Sequence, residues 1–207
     1  MKKSLLPLAL ALASFTLPAE GPWFSGKIVY HNTVKTLAGQ DITEKVAPML
    51  GLDDPYYISA DGYKMYTEAG KLVELYAVAD NKFHAYVNGQ AMPVVDAATG
   101  TPGAVVKLRP ETATVAGYAC QSLEISNPAE GSSTVYYYAP KLRVNPETFS
   151  KHAYGDFYTY LKASKGALPL RMVITNTKQG FTMTSEATSV AAIPLTAADF
   201  APGAPAR

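Results

Sequence analysis

The chain has 207 residues, a formal net charge of +1, and 17% charged side chains. That is one domain's worth of chain, long enough to bury a core without metal or disulfide help, and the charge is too small and too balanced for nucleic-acid binding. With Cys120 as the only cysteine, no intramolecular disulfide can form, and a lone thiol on a strand reads as a small buried hydrophobe.

Met1-Lys2-Lys3 followed by the apolar run 5–17 reads as a secretory signal, with cleavage expected between Ala19 and Glu20 and Ala13/Ser14 as second choice. The run is shorter than the roughly 20 residues a membrane span needs, and Pro7 interrupts it. No cysteine follows it as a lipid-attachment site, so the expected mature product is a single β domain over 20–207, exported to the periplasm or beyond and without a stable membrane span.

In residues 27–35, Ile28, Tyr30 and Val34 alternate with Lys27, Val29, His31, Thr33 and Lys35, the pattern of a half-buried strand. Ile42, Val46, Met49 and Leu50 then recur at helical spacing, which predicts a short helix started by Asp41 or Thr43 and ended near Gly51, with Asp53-Asp54-Pro55 as a turn. From 56 to 95, turn chemistry at Asp61-Gly62, Gly70, Asp80-Asn81 and Asn88-Gly89 separates apolar segments at 63–66, 72–78 and 82–87, an antiparallel meander. Residues 96–103 are small and polar and read as a mobile loop.

A hairpin is predicted over 113–139, turned at Asn127 to Gly131. Its second arm puts Tyr136 and Tyr138 on one face and Tyr137 on the other, so a helix or a cavity must lie against the second aromatic face. Asn145-Pro146 opens a helix whose Phe149, Ala153, Phe157, Tyr160 and Leu161 share a side, with Gly155 dividing it. Two closing strands, 171–177 and 181–190, are joined at 178–180.

Phe24-Ser-Gly26-Lys-Ile28-Val-Tyr30, the Gly117-Tyr118-Ala-Cys120 opening of the hairpin, Tyr137-Tyr138-Ala-Pro140 at its end, Leu168-Pro-Leu-Arg171 and the final Asp199-Phe200 occur in an order with a known counterpart. The order resembles a group of small exported bacterial domains of unknown function, DUF4412-like, whose fold is similar to the LolA/LolB-type lipoprotein carriers. The resemblance implies a mainly β (α+β) architecture: a strongly curved antiparallel sheet, an unclosed β-barrel, with short helices on its concave side. It also makes Arg171 the candidate for the buried arginine of the carriers.

No nucleophile elbow, phosphate-binding glycine loop or dinucleotide fingerprint occurs. His31, His84 and His152 are scattered; His152 and Asp156 have an i,i+4 relation that could orient an imidazole, without a metal-ligand motif. No metal or cofactor is expected, and no reaction. What remains is an apolar surplus on β-structure, and the expected ligand-lining set is Met65, Tyr66, Tyr76, Tyr86, Tyr136, Tyr138, Phe157, Arg171, Met172 and Met183. The leading expectation is a non-catalytic module for a lipid or acyl chain; the alternative is a cell-envelope protein-interaction or sensor domain with a filled core.

Overall fold

The computed structural model describes residues 23–203; the signal segment and its cleavage points lie outside them. Strands β1 (Gly26–Thr36), β2 (Asp53–Ser59), β3 (Gly62–Tyr66), β4 (Leu72–Ala77), β5 (Lys82–Val87), β6 (Gln90–Ala91) and β7 (Val95–Asp96) precede β8 (Val105–Val115), β9 (Tyr118–Asn127), β10 (Ser132–Arg143), β11 (Ala167–Asn176) and β12 (Phe181–Ala192). Helix α1 (Thr43–Leu50) follows β1, and α2 (Phe157–Ala163) follows two single 3-10 turns, Pro146–Phe149 and Tyr154–Asp156.

Each turn signal in the first half works by its backbone angles. Asn88 and Gly89 both have positive φ, as a two-residue hairpin turn matched to strand twist requires. Ala116 and Gly117 do the same between β8 and β9. The resulting sheet is antiparallel throughout, in the order β6-β5-β4-β3-β2-β1-β12-β11-β10-β9-β8, with β7 on β5. Two meanders are joined where the first strand meets the last. Irregularities between Val29 and Tyr30, Met65 and Tyr66, and Tyr137 and Tyr138 bend the sheet without closing it. The unclosed antiparallel sheet with short helices is the architecture the sequence resemblance implies.

The concave face holds the larger core, from Ile28, Tyr30, Ile58 and Tyr63 through Leu123 and Tyr138 to Phe149, Tyr160 and Leu161 of the covering segment. The convex face has its own small core of Tyr57, Tyr66, Leu75, Leu195 and Phe200, where the C-terminal 3-10 turn Ala197–Phe200 lies on β3 and β4. Two aromatic faces therefore have two different covers.

Four expectations change. Asp53, Asp54 and Pro55 do not turn; they open β2, opposite His31, Tyr30 and Val29 of β1. The β2–β3 ladder begins only at Tyr56, so the missing N–H of Pro55 falls beyond it and costs nothing there. Residues 105–112 precede the predicted hairpin yet belong to β8, an edge strand whose Pro110 sits in a register shift between Arg109 and Ala113. The helix expected from 145 divides at Gly155 as read, where Gly155 and Asp156 adopt left-handed angles, φ 62 and 60, but the part before the division forms only 3-10 turns. Finally, the 96–103 loop is anchored: Ala97 is fully buried and its carbonyl accepts the amides of Ala153 and Tyr154 at 2.7 and 2.9 Å.

Candidate functional site

A cavity of about 260 Å3, partly open to solvent, lies between the concave face and α2. Cross-strand register assembles its floor. One row runs Tyr136, Met172, Ser185 across β10, β11 and β12 and continues to Asn32 of β1; the next runs Ile174, Met183, Val34. A third runs from Tyr56 to Met65 to Glu74 across β2, β3 and β4. Residues in register share a face, so each row points one set of side chains into the hollow. Phe157, Tyr160 and Leu161 of α2, with Leu168 and Pro169 at the start of β11, supply the opposite wall.

Two of the tyrosines are held by backbone carbonyls. Tyr30 Oη donates to Pro169 O at 2.6 Å and Tyr160 Oη donates to Ala167 O at 2.7 Å. With their hydroxyls engaged, the rings stand as apolar wall, and Tyr136 packs on Tyr160 at a centroid separation of 4.4 Å. Burial raises the hydroxyl pKa of Tyr30, Tyr56 and Tyr160, so all three stay neutral.

The polar part of the site is a short network. Ser185 Oγ donates to Asn32 Oδ1, and Asn32 Nδ2 donates to Asp54 Oδ2 at 2.5 Å. Asp54 Oδ1 is buried without a hydrogen-bond partner among the described residues. Desolvation, opposed by the Asn32 bond and aided by Glu68 and Asp53, raises the Asp54 carboxyl to about 6. Glu74 is raised to about 7, chiefly by desolvation and then by Asp54. An unpaired carboxylate in an apolar wall holds its proton because its charged form has lost water.

Met65, Tyr136, Phe157, Met172 and Met183 of the expected set line the cavity together. The others lie elsewhere. Tyr66 belongs to the convex core. Tyr76 and Tyr138 are buried packing residues, Tyr76 stacked on Tyr63 at 5.3 Å and Tyr138 bonded to Gln121 at 3.2 Å. Tyr86 lines a shallow surface depression beside α1. Arg171 Nε donates to Glu186 at 2.6 Å and its guanidinium lies over Tyr137, on the face opposite Met172. Strand parity explains Tyr66 and Arg171, whose neighbours Met65 and Met172 take the cavity face, whereas Tyr76 and Tyr138 belong to the larger core and are covered by its packing.

His152 does not meet Asp156 on a helix. It is buried, its Nε2 is 2.8 Å from Tyr63 Oη, and its ring packs on Tyr76 and Phe157 at 4.2 and 4.7 Å. Burial lowers its pKa to about 4. Cys120 is buried, and its thiol is held protonated by the same desolvation. Among the described residues no group of three or more His, Cys, Asp or Glu could hold a metal, and no helix is long and apolar enough to cross a membrane.

No family model and no curated protein matches the sequence. Solved structures similar to the chain include PNGF-II, at 15% identity and TM-score 0.48 over 84% of this chain; the chain spans 29% of that protein's length. A LolA superfamily protein from Nitrosomonas europaea is similar at 8% identity and TM-score 0.37, covering 87% of this chain and 91% of that one. A putative outer membrane lipoprotein-sorting protein domain from Vibrio parahaemolyticus gives 12% identity and TM-score 0.38, covering 88% and 91%.

The lining residues that the sequence did not point to are Tyr30, Asp54, Tyr56, Glu74, Leu168, Pro169, Ile174 and Ser185, with Gly155, Tyr160 and Leu161 placed on the covering segment but not in the ligand set. For Glu74 a signal existed: it alternates with Val73 and Leu75 in a strand whose Tyr76 shares its side, an acid on an aromatic face. Asp54 carried none, because Asp-Asp-Pro reads locally as a turn.

Proposed function

We propose that the chain is an exported, periplasmic binding module that shelters a hydrophobic ligand, a lipid or acyl chain, and catalyses no reaction. The observation that supports this is the cavity, whose wall is mostly apolar and includes three methionines, Met172 and Met183 on the adjacent strands β11 and β12 and Met65 on β3. Methionine side chains are flexible and polarizable and adapt to an alkyl chain of variable shape. The volume exceeds the about 150 Å3 of an engineered cavity that takes benzene, and approaches the lower end of ordinary ligand pockets. Apolar area removed from water drives entry.

A catalytic reading would rest on His152 or on the two carboxylates. His152 is sealed behind Tyr63 and does not line the cavity. The carboxylates stand among methionine and aromatic side chains, the reverse of the hydroxyl-binding surface a sugar substrate needs.

The experiment is native mass spectrometry of the protein exported with its leader and purified without detergent, followed by lipid extraction. A stoichiometric acyl-containing adduct is expected, absent from Met172→Lys. A bare chain mass that stays bare after incubation with envelope lipids would refute the reading.

The alternative of a protein-interaction domain keeps one observation of its own. Edge strand β8 exposes Val105, Val106 and Leu108, the last 70% accessible. An unpaired apolar edge is a surface for strand addition. A partner captured by the wild type and lost on Val106→Lys would favour it, and a bare mass in the first experiment would make it the leading reading.

A further inference from the structure

The cavity carries two groups for which a pure hydrocarbon has no use. Asp54 lines the hollow and is 4% exposed, and its Oδ1 has no hydrogen-bond partner among the described residues. Glu74 lines the same hollow and, like Asp54, forms no ion pair among the described residues. Two carboxylates in an apolar hollow without a counter-charge are costly, and a cation occupying the cavity would lower that cost.

The chain's own cations do not serve. Lys64 lies between Met65 and Tyr63 in sequence, yet its Nζ sits over the Tyr57 and Tyr66 rings at 5.6 and 5.4 Å, on the convex side. Arg171 is likewise turned to Glu186 and Tyr137. The remaining charges near the hollow are negative: Glu68 and Asp53 act on Asp54 from one end, and Asp156, at the start of α2, acts on Tyr136 from the other. The tyrosine hydroxyls beside Glu74, those of Tyr56 and Tyr63, are neutral.

We propose that the cavity selects an amphiphile with a cationic amine head, the ammonium seated against the Asp54 and Glu74 carboxylates and the hydrocarbon chain lying along Met65, Met172 and Met183. This rests on the reading of the cavity as a ligand site and adds the chemistry of the head group. The ammonium supplies the positive charge that the Asp54 and Glu74 carboxylates lack, while the apolar wall strengthens the pairing by excluding water. A fatty acid in the same orientation would bring a third carboxylate to two others.

The test is calorimetric titration of the exported chain with decylamine, decanol and decanoate, each below its micelle concentration, at about pH 8, where Glu74 and Asp54 are ionised. Decylamine should bind at one equivalent, about tenfold or more tighter than decanol, with decanoate weakest. In the isosteric double variant Asp54→Asn/Glu74→Gln, decylamine should fall to within about threefold of decanol, whose own affinity holds. Glu44→Gln on exposed α1 should leave the preference intact.

Decanoate binding as well as decylamine, or a preference surviving in the double variant, would overturn the inference and leave the apolar site standing. A preference lost equally in Glu44→Gln would assign it to surface charge and overturn it too. Failure of all three ligands to bind would remove the cavity reading itself.

Discussion

Glu74→Gln should make the protein more stable at pH 8 and leave it nearly unchanged at pH 4.5. Burial lifts the Glu74 carboxyl from 4.5 to about 7. In the unfolded chain the group ionises near its ordinary value, so between 4.5 and 7 the folded state holds more protons than the unfolded one. Stability therefore falls as pH rises through this window, and the full cost is present above about 7. At about 1.4 kcal/mol per pH unit the gap corresponds to an upper bound of about 3.5 kcal/mol. Solvent reaching the open cavity reduces it, so a gain of about 1–3 kcal/mol is expected for the neutral glutamine at pH 8. Urea unfolding of wild type and variant at both pH values measures it, and a rise of a few degrees in Tm should accompany it. A variant less stable than wild type at pH 8, or one shifted equally at both pH values, would refute the account of Glu74 as a desolvated and unpaired acid.

Tyr63→Phe removes the one hydrogen-bond partner that the buried His152 Nε2 has among the described residues, 2.8 Å away, and should cost about 1–3 kcal/mol in urea unfolding. His152 itself, lowered to about 4, should show no ring titration by NMR between pH 5 and 8, and its stabilising effect should be lost as pH falls from about 6.5 toward 4, because only the unfolded chain takes up the proton there. Gly166→Ala should lower Tm sharply, since φ is +81 and an added Cβ would stand 2.1 Å from the Val144 carbonyl. Met172→Lys should abolish displacement of a neutral hydrophobic dye while the far-UV spectrum holds, because a lysine there puts an ammonium in the middle of the apolar floor.

Much of the local structure was legible in the residues. Ile28, Tyr30 and Val34 were assigned to one face by alternation and are buried together on β1. Asn88-Gly89 and Asp80-Asn81 marked hairpin turns because few other pairs tolerate the backbone angles found there. Asn145 caps the turn it was expected to cap, its side chain accepting the Glu147 amide at 3.1 Å. Gly155 divides the segment after it as its sequence suggested, with two consecutive positive φ values there, but before the division the chain forms 3-10 turns and only Phe157–Ala163 is α-helical.

The candidate site was half legible for a reason that can be named. Period-two alternation separates the side chains of a strand into two sets, yet it does not say which set faces the hollow when both are aromatic. Tyr66 and Met65 are equally plausible by sequence. The C-terminal turn, docking Phe200 and Leu195 beside Tyr57 and Tyr66, claims the first for the convex core and leaves the second to the cavity. The pairing of β1 with β12, in which Asn32 meets Ser185, joins residues 153 positions apart, so no local pattern could announce it. Strands, turns and an aromatic surplus could be read locally, because these depend on near neighbours. Only the tertiary structure, by closing that long-range ladder, chose the face that became a cavity and drew Asp54 from an apparent turn into its wall.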